Sequence, residues 1–525
     1  MWWRDGVLYQ IYPRSFADLD GDGVGDLRGI IRHLDHLAWL GVEGVWLNPT
    51  MPSPNKDWGY DVSDYKGVHP ELGTLEDVDD LVSEARERDI RVLLDLVPNH
   101  TSDQHRWFQD ALTSRSARHR DFYVWADPKE DGSPPNNWVS VFGGEGAWEL
   151  HEPTGQYYLH NFLKHQPDLN WWNDDVRDEF DDILKFWFER GIAGFRIDVA
   201  HAMIKDQELR DNLPATEKDP ERIRRIGQQP IYNMNRPEGH EVIRRWRQVC
   251  DVYDPKRVLI GETFVLDIAK MVSYYGERDD ELNLAFNFPF IFTNFDSESL
   301  REVVELTESL MPSESWPVWT GSNHDVGRLA TRWCGDDERK IRCALMLLLT
   351  MRGTPFLYYG DEIGLPEPKL TESDLKDPVG VRFWPHNPGR DGCRTPMHWD
   401  ANPGAGFTSP EAAPWLPLGD HASCNVASQR EDPTSVLHLT RDLIALRRGS
   451  QELARGSYRS LESPAGLWVF QRGEGTVVAF NLADEPALVD GVSGGIAIAT
   501  DRSRDGETVE GTLELAPWQG AIITQ

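Results

Sequence analysis

Cysteine is scarce in this chain, and long hydrophobic runs are absent. Only five of the 525 residues are cysteine, and none has the paired or Cys/His spacing of a zinc site. We therefore expect reduced thiols rather than a disulfide framework. The most apolar stretch, ALMLLLTM at 344–351, is too short to span a bilayer. The N-terminus also lacks the basic and apolar regions of a signal peptide. These absences predict a soluble, cytoplasmic protein with no membrane partner.

Positive charge is in short supply. The chain has 54 Lys and Arg residues against 87 Asp and Glu, for a formal net charge of −33. Nucleic acids and anionic surfaces are bound by clustered basic side chains, so we expect no nucleic-acid partner. The 21 tryptophans are many; they serve either core packing or the binding of flat sugar faces, and composition does not separate the two. Monomer and dimer are both compatible with these totals.

Short apolar runs that end in polar residues alternate with amphipathic helical stretches such as 27–41 and 75–90. Eight runs that alternate in this way predict a (β/α)8 TIM barrel, which eight parallel strands favour over a doubly wound sheet. The eight runs are 7–13, 41–49, 91–100, 194–201, 257–263, 283–288, 317–325 and 354–362.

Two intervals and the C-terminal region depart from this alternation of strand and helix patterns. The Trp-, Gly- and Pro-rich interval 101–172 predicts an inserted subdomain after strand 3, because so long a loop is usually functional. The barrel domain is thus expected over 1–100 and 173–450, with a long loop at 363–430 after strand 8. Short alternating strands over 451–525 predict a C-terminal antiparallel β-sandwich.

Charged and imidazole side chains stand where several predicted strands end. The carboxyl ends of barrel strands form the active face, and residues that alternate with apolar neighbours share one side of a strand. We therefore expect these side chains to meet at one rim. They are Asp95, Asn99 and His100 on strand 3, Arg196, Asp198 and His201 on strand 4, Glu262 on strand 5, and His324 and Asp325 on strand 7.

Two carboxylates on neighbouring strands suit glycosidic bond cleavage, in which one attacks and the other protonates the leaving oxygen. Arg196 beside Asp198 is expected to lower the pKa of Asp198 and keep it an anion, fit to be a nucleophile. Glu262 has no basic neighbour in the sequence, which suits a general acid. A buried salt bridge is the alternative interpretation of Arg196 and Asp198, and a helix cap is the alternative for any single aspartate.

Four motifs occur in order and at the intervals of one family. They are DLVPNH (95–100), GFRIDVAH (194–201), GET (261–263) and SNHD (322–325). The chain therefore resembles the α-amylase superfamily, glycoside hydrolase family 13, along essentially its whole length. The resemblance implies that Asp198 is the nucleophile, Glu262 the general acid/base and Asp325 the third catalytic carboxylate. It also places His100, Arg196 and His324 around the glucose that is cleaved.

Further stretches resemble the α-glucosidase and oligo-1,6-glucosidase group. They are SPNKDWGYDVSDY (53–65), YYLHNF (157–162), QPDLNWW (166–172) and GRDGCRTPMHWD (389–400). The resemblance implies a pocket for one terminal glucose, and hence exo-action on short α-glucosides. The residues that it implies for this pocket are Asp57, Tyr60, Phe142, Phe162, Gln166 and Arg394.

Substrate preference stays open in the sequence. In part of this group, valine after the nucleophile accompanies α-1,6 linkages and alanine or threonine accompanies α-1,4; here the residue is Val199. Both linkages remain alternatives, as do sucrose hydrolysis, trehalose–maltose interconversion and transglucosylation. A non-catalytic binding relative is a remote alternative, because such relatives have lost the acids that this chain keeps.

An acidic stretch near the N-terminus, DLDGDGVGD at 18–26, has the spacing of a calcium-binding loop with a glycine at the turn. The Glu that closes an EF-hand is missing, and an acidic turn that caps the next helix is the alternative. With the family resemblance, we expect a structural Ca²⁺ or Mg²⁺ and no organic cofactor. The expected ligands are Asp18, Asp20, Asp22, the Val24 carbonyl and Asp26.

Overall fold

The computed structural model describes the backbone of all 525 residues and every side chain except that of Arg222. Among the described residues, no helix is both long and apolar enough to cross a membrane. All five cysteines are free, and four of them are buried.

Eight parallel strands form the centre of the molecule. Their order is β6-β5-β4-β3-β2-β1-β8-β7, so the sheet curves through all eight and is nearly closed between β6 and β7. In this sheet Leu8 pairs with Gly44 on one side and with Phe356 on the other. The predicted (β/α)8 barrel is therefore confirmed. The strands are β1 Leu8–Ile11, β2 Gly44–Leu47, β3 Arg91–Leu96, β4 Gly194–Ile197, β5 Val258–Gly261, β6 Leu284–Ala285, β7 Val318–Thr320 and β8 Thr354–Tyr358.

Helices follow the strands along the chain and cover the barrel. Asp174–Glu189 shows why they form: Asn173 caps its first turn by accepting the N–H of Asp175, and a buried apolar stripe recurs at helical spacing at 180, 183, 184 and 187. The main helices are α1 Leu27–Arg32, α2 Leu34–Leu40, α3 Leu75–Glu87, α4 Asp174–Glu189, α5 Gly239–Asp251, α6 Ile268–Ser273, α7 Ser297–Leu310, α8 Glu338–Thr350 and α9 Val436–Gly449.

The long connection between β3 and α4 contains its own small antiparallel sheet. Its strands are Trp125–Ala126, Trp148–His151 and Gln156–Leu159, and the last of these is central. Trp138, Trp148 and Leu159 form a separate apolar cluster beside this sheet. The insertion after strand 3 is therefore a packed unit. A second excursion, between β4 and α5, contains the two-residue strands Leu213–Pro214 and Gln228–Gln229.

Six C-terminal strands are hydrogen-bonded into one continuous antiparallel sheet, in the order β9-β10-β11-β14-β12-β13. One face packs into the main core through Trp468 and Phe480. The other face encloses its own apolar cluster, which includes Leu513 and Ile523. The prediction of C-terminal antiparallel strands is confirmed, and in place of the two separate sheets of the predicted β-sandwich they form this one sheet. Its strands are β9 Tyr458–Leu461, β10 Leu467–Arg472, β11 Thr476–Asn481, β12 Ala487–Ala499, β13 Thr508–Leu515 and β14 Gln519–Thr524.

Short helices occupy the connections, and several lie in the segment after β8. They are Trp2–Asp5, Pro13–Phe16, Arg106–Ala111, Arg120–Phe122, Glu221–Ile226, Phe288–Phe292, Leu329–Arg332, Asp361–Ile363, Glu372–Asp374, Pro378–Phe383, Asp391–Arg394, Val426–Glu431 and Gln451–Arg455.

Candidate active site

The carboxyl ends of β3, β4 and β5 bring the central polar residues together. The parallel ladder continues past the strands: the Asp198 N–H donates to the Leu96 carbonyl at 2.8 Å, and the Glu262 N–H donates to the Ile197 carbonyl at 2.9 Å. Both acids are therefore fixed at one edge of the barrel. Arg196 stands one pleat below them, 2% exposed.

Arg196 is shared by three carboxylates. Its Nη1 donates to Asp95 Oδ1 at 2.9 Å and to Asp198 Oδ1 at 2.7 Å, and its Nη2 donates to Glu262 Oε2 at 2.6 Å. The sequence indicated only the contact with Asp198, two residues away. The contact with Glu262 comes from the pairing of β4 with β5, which no local pattern specifies.

The expectation that Arg196 keeps the pKa of Asp198 low is wrong. Burial raises that pKa well above its usual range; the charge of Arg196 acts to lower it, and the charges of Glu262 and Asp95 add to the rise. Burial likewise raises the pKa of Asp95 to about 7. One guanidinium thus faces three carboxyl groups, and the two aspartates among them hold a proton more readily than exposed aspartates do.

Asp325 follows β7 and has a different electrostatic environment. Its carboxylate accepts from Arg390 Nη1 at 3.1 Å and from Arg394 Nη2 at 3.0 Å, and it lies 3.0 Å from His324 Nε2. Burial acts to raise the pKa of Asp325, but the interaction with His324 and the charges of Arg390 and Arg394 outweigh it and hold that pKa well below its usual range. Asp325 is therefore a permanent anion that can accept hydrogen bonds from sugar hydroxyls.

Arg390 is a site residue that the sequence analysis missed. It donates to Asp57 Oδ1 at 2.7 Å as well as to Asp325, and Asp377 behind it accepts from the same guanidinium at 2.6 Å. Arg390 lies four positions before Arg394 in the same motif, and that proximity could have identified it. No sequence pattern identifies Asp377 as a site residue, because its position predicts only a helix cap. It does cap the helix Pro378–Phe383.

The remaining predicted pocket residues form one hydrogen-bonded wall. Gln166 Nε2 lies 3.1 Å from Asp57 Oδ2, 3.2 Å from the Tyr60 carbonyl and 3.1 Å from His100 Nε2. The Tyr60 hydroxyl lies 2.5 Å from His324 Nε2. The inserted subdomain, through Gln166, thus joins the loop after β2 and the end of β3.

Two phenylalanines from the inserted subdomain border this wall. Phe142 and Phe162 meet edge to face, with ring centroids 5.6 Å apart. Phe162 also lies 5.2 Å from the His100 ring, and the Arg390 guanidinium lies 5.3 Å from the Phe142 ring. All the residues predicted for the sugar pocket are therefore brought together.

The side chains of the acidic loop at 18–26 divide into two sets. Asp18, Asp20 and Asp22 each offer an oxygen ligand, and these atoms all lie within 4.8 Å of one another. Asp26, in contrast, caps α1 by accepting the Gly29 N–H at 2.6 Å, and its other oxygen accepts the Leu19 N–H at 2.8 Å. Three converging carboxylates fit a hard divalent cation.

The protein-family model described as "Alpha amylase, catalytic domain" matches residues 10–456. The chain therefore belongs to the α-amylase family of glycoside hydrolases, and it is an enzyme of that class.

Its similarity extends to individual members over nearly the whole chain. It is 43% identical to the "Probable alpha-glucosidase" of Rhizobium meliloti (strain 1021), over 93% of this chain and 90% of that protein. It is 37% identical to the "Oligo-1,6-glucosidase" of Heyndrickxia coagulans, over 93% of each. The crystal structure of the "alpha-glucosyl transfer enzyme, XgtA" matches with a TM-score of 0.92 and 40% identity, over 99% of both chains.

Proposed function

We propose that this enzyme is a retaining, exo-acting α-glucosidase that releases terminal glucose from short α-linked oligosaccharides. The observation that carries the proposal is the binding of Asp198 and Glu262 to the two terminal nitrogens of one guanidinium, that of Arg196. This arrangement supports the proposal, because double displacement requires a nucleophile and a proton donor side by side.

In the proposed first step, an Asp198 oxygen forms a bond with the anomeric carbon as the glycosidic C–O bond breaks. The electron pair of that bond stays with the leaving oxygen, which takes the proton of Glu262. Glu262 then removes a proton from water, the water oxygen attacks the anomeric carbon, and Asp198 leaves as a carboxylate. The anionic Asp325 and the guanidinium of Arg394 would hold hydroxyls of the same sugar through both steps.

Exo-action is supported by the ion pairs of Arg390. Because its guanidinium joins Asp57 to Asp325, charged side chains stand across the pocket where a further sugar would extend. A terminal glucose fits such a pocket, whereas an internal segment of a polymer would have to break these pairs.

The linkage is tested by incubating the enzyme with equal concentrations of maltose and isomaltose and following the products by chromatography. We expect glucose from at least one of the two. Release from isomaltose alone would assign α-1,6 specificity, in line with Val199, and release from maltose would assign α-1,4 activity. Products longer than the substrate would report transglucosylation, because a sugar hydroxyl then replaces water in the second step.

Sucrose and trehalose in parallel reactions test the other disaccharide activities of the same site. If none of the four disaccharides releases glucose, the proposed function is wrong. A sample of the Asp198→Asn variant, purified in the same way, controls for contaminating glucosidases.

We further propose that Asp18, Asp20 and Asp22 hold a structural Ca²⁺ or Mg²⁺, with the Val24 carbonyl as an additional ligand. The cation would supply positive charge to three acids that otherwise repel one another. Removing it with EDTA is expected to lower the melting temperature by about 2 °C or more, because a bound ion stabilises only the folded state. Differential scanning fluorimetry with and without added Ca²⁺ or Mg²⁺ measures the effect.

The Asp20→Asn/Asp22→Asn double variant is the matched control for this site. It removes two exposed ligands and leaves Asp18, which accepts the N–H groups of Gly21 and Gly23, in place. Its melting temperature should no longer respond to EDTA. An identical response in the variant and the wild type would count against a cation at this loop.

A further inference from the structure

Val199, the residue after Asp198, has a backbone conformation that valine rarely adopts. Its φ is +36°, and a β-branched side chain in this left-handed region crowds its own backbone. Such conformations persist only where the surroundings impose them, and they cluster at active sites.

Backbone hydrogen bonds hold the residues on both sides of Val199. The Asp198 N–H donates to the Leu96 carbonyl at 2.8 Å, and the Ala200 N–H donates to the Glu262 carbonyl at 3.0 Å. The Val199 side chain packs in a small apolar cluster with Ala202 and Met234. The chain therefore enters and leaves Val199 in fixed directions.

The strained residue makes one hydrogen bond to a proposed reacting group. The Val199 N–H donates to Glu262 Oε2 at 3.0 Å, and the same oxygen accepts from Arg196 Nη2 at 2.6 Å. An oxygen that accepts two N–H groups acts as the acceptor oxygen of the carboxyl, so a proton on that carboxyl lies on the other oxygen. For Glu262 that oxygen is Oε1.

We propose that Val199 is a positioning residue whose strained peptide N–H holds Oε2 of Glu262, so that Oε1 carries the proton to the leaving oxygen. The inference rests on the proposed function and deepens it. The role belongs to the backbone of Val199 and is independent of any influence of its side chain on linkage.

The variants Val199→Ala and Val199→Gly separate the backbone from the side chain, because both lack the valine methyls. At an ordinary φ, a glycine variant has a lower melting temperature than the corresponding alanine variant. At a positive φ, glycine is the unstrained residue and this order is reversed. We expect the glycine variant to melt above the alanine variant. Ala200→Gly is the matched control at a neighbouring residue that is outside the positive-φ region, and it should melt below the wild type.

The kinetic measurement is kcat/KM with a substrate that has a poor leaving group, maltose or isomaltose, and with p-nitrophenyl α-glucoside, which needs little protonation. Glycine should relax the strained peptide, so Val199→Gly is compared with Val199→Ala. For the disaccharide, kcat/KM of the glycine variant should be about tenfold lower than that of the alanine variant. For the p-nitrophenyl substrate, the difference should be about twofold or less. A merely structural change would lower both values equally.

Replacing Val199 with its α-hydroxy acid, by cell-free translation with a chemically acylated tRNA, removes only the N–H and keeps the side chain. The ester should show the same selective loss on the disaccharide. This measurement keeps the inference testable even if a glycine or alanine variant does not fold.

Glycine melting below alanine, or an equal loss on the two substrates, would overturn the inference while the wild type remains active. A wild type that releases no glucose from any α-glucoside would overturn the proposed function, and this role with it.

Discussion

Asp198→Asn is expected to lower kcat by about 10⁴-fold or more while the chain still folds. Asparagine retains an oxygen that can accept from Arg196, as Asp198 Oδ1 does at 2.7 Å, but its amide cannot form the glucosyl ester. Because burial raises the pKa of Asp198, the ionised carboxylate is unfavourable in the fold, and its loss should not lower the melting temperature. Glucose release and a melting curve measure the two effects.

A covalent label gives this prediction a second measurement. Incubation with 5-fluoro-α-glucosyl fluoride, which loses its anomeric fluoride, should add one 5-fluoroglucosyl mass to the wild type and none to the variant, as measured by mass spectrometry of the intact chain. Asp206→Asn is the matched control: Asp206 is buried and paired with Arg210, outside the site, and this variant should be labelled normally. Labelling of Asp198→Asn, or turnover near the wild-type rate, would exclude Asp198 as nucleophile.

Glu262→Gln is expected to lower kcat/KM on disaccharides by about 10³-fold, because glutamine holds no transferable proton. The loss on p-nitrophenyl α-glucoside should be smaller than tenfold, since p-nitrophenolate leaves with little protonation. Sodium azide should raise turnover of the variant with this substrate, because an anionic nucleophile needs no general base in the second step. Initial rates with and without azide measure both effects.

Glu281→Gln is the matched control for the loss of a buried glutamate. Glu281 is 1% exposed and pairs with Arg244 at 3.0 Å, away from the candidate site. It should leave the ratio of the two substrates unchanged, whatever its effect on stability. Equal losses of Glu262→Gln on both substrates would indicate that Glu262 supports the structure and does not donate a proton.

The two large predictions share one physical basis. Asp198 and Glu262 are held by the same guanidinium, that of Arg196, and the proposed mechanism requires one of them to be ionised and the other protonated. A guanidinium within hydrogen-bonding distance of both can stabilise whichever of the two is ionised in each step.

The architecture was encoded in the sequence to a large extent. The runs 41–49 and 91–100 predicted parallel strands, and β2 and β3 occupy them, because periodic apolar residues and flanking turn signals act within a few positions. The motifs also identified Asp198, Glu262 and Asp325 as residues of one rim, since the carboxyl ends of barrel strands lie on the same side.

Only the tertiary structure decided how these groups are paired and charged. Arg390 and Asp57 are separated by 333 positions but lie 2.7 Å apart. The pKa of Asp198 is raised by burial in spite of its sequence neighbour Arg196, which lowers it. Burial and the charges of Glu262 and Asp95 arise only when distant segments pack, so the local pattern, which did contain Arg196, contains neither. The strained φ of Val199 has the same origin, because the neighbouring strands and not its own side chain impose it.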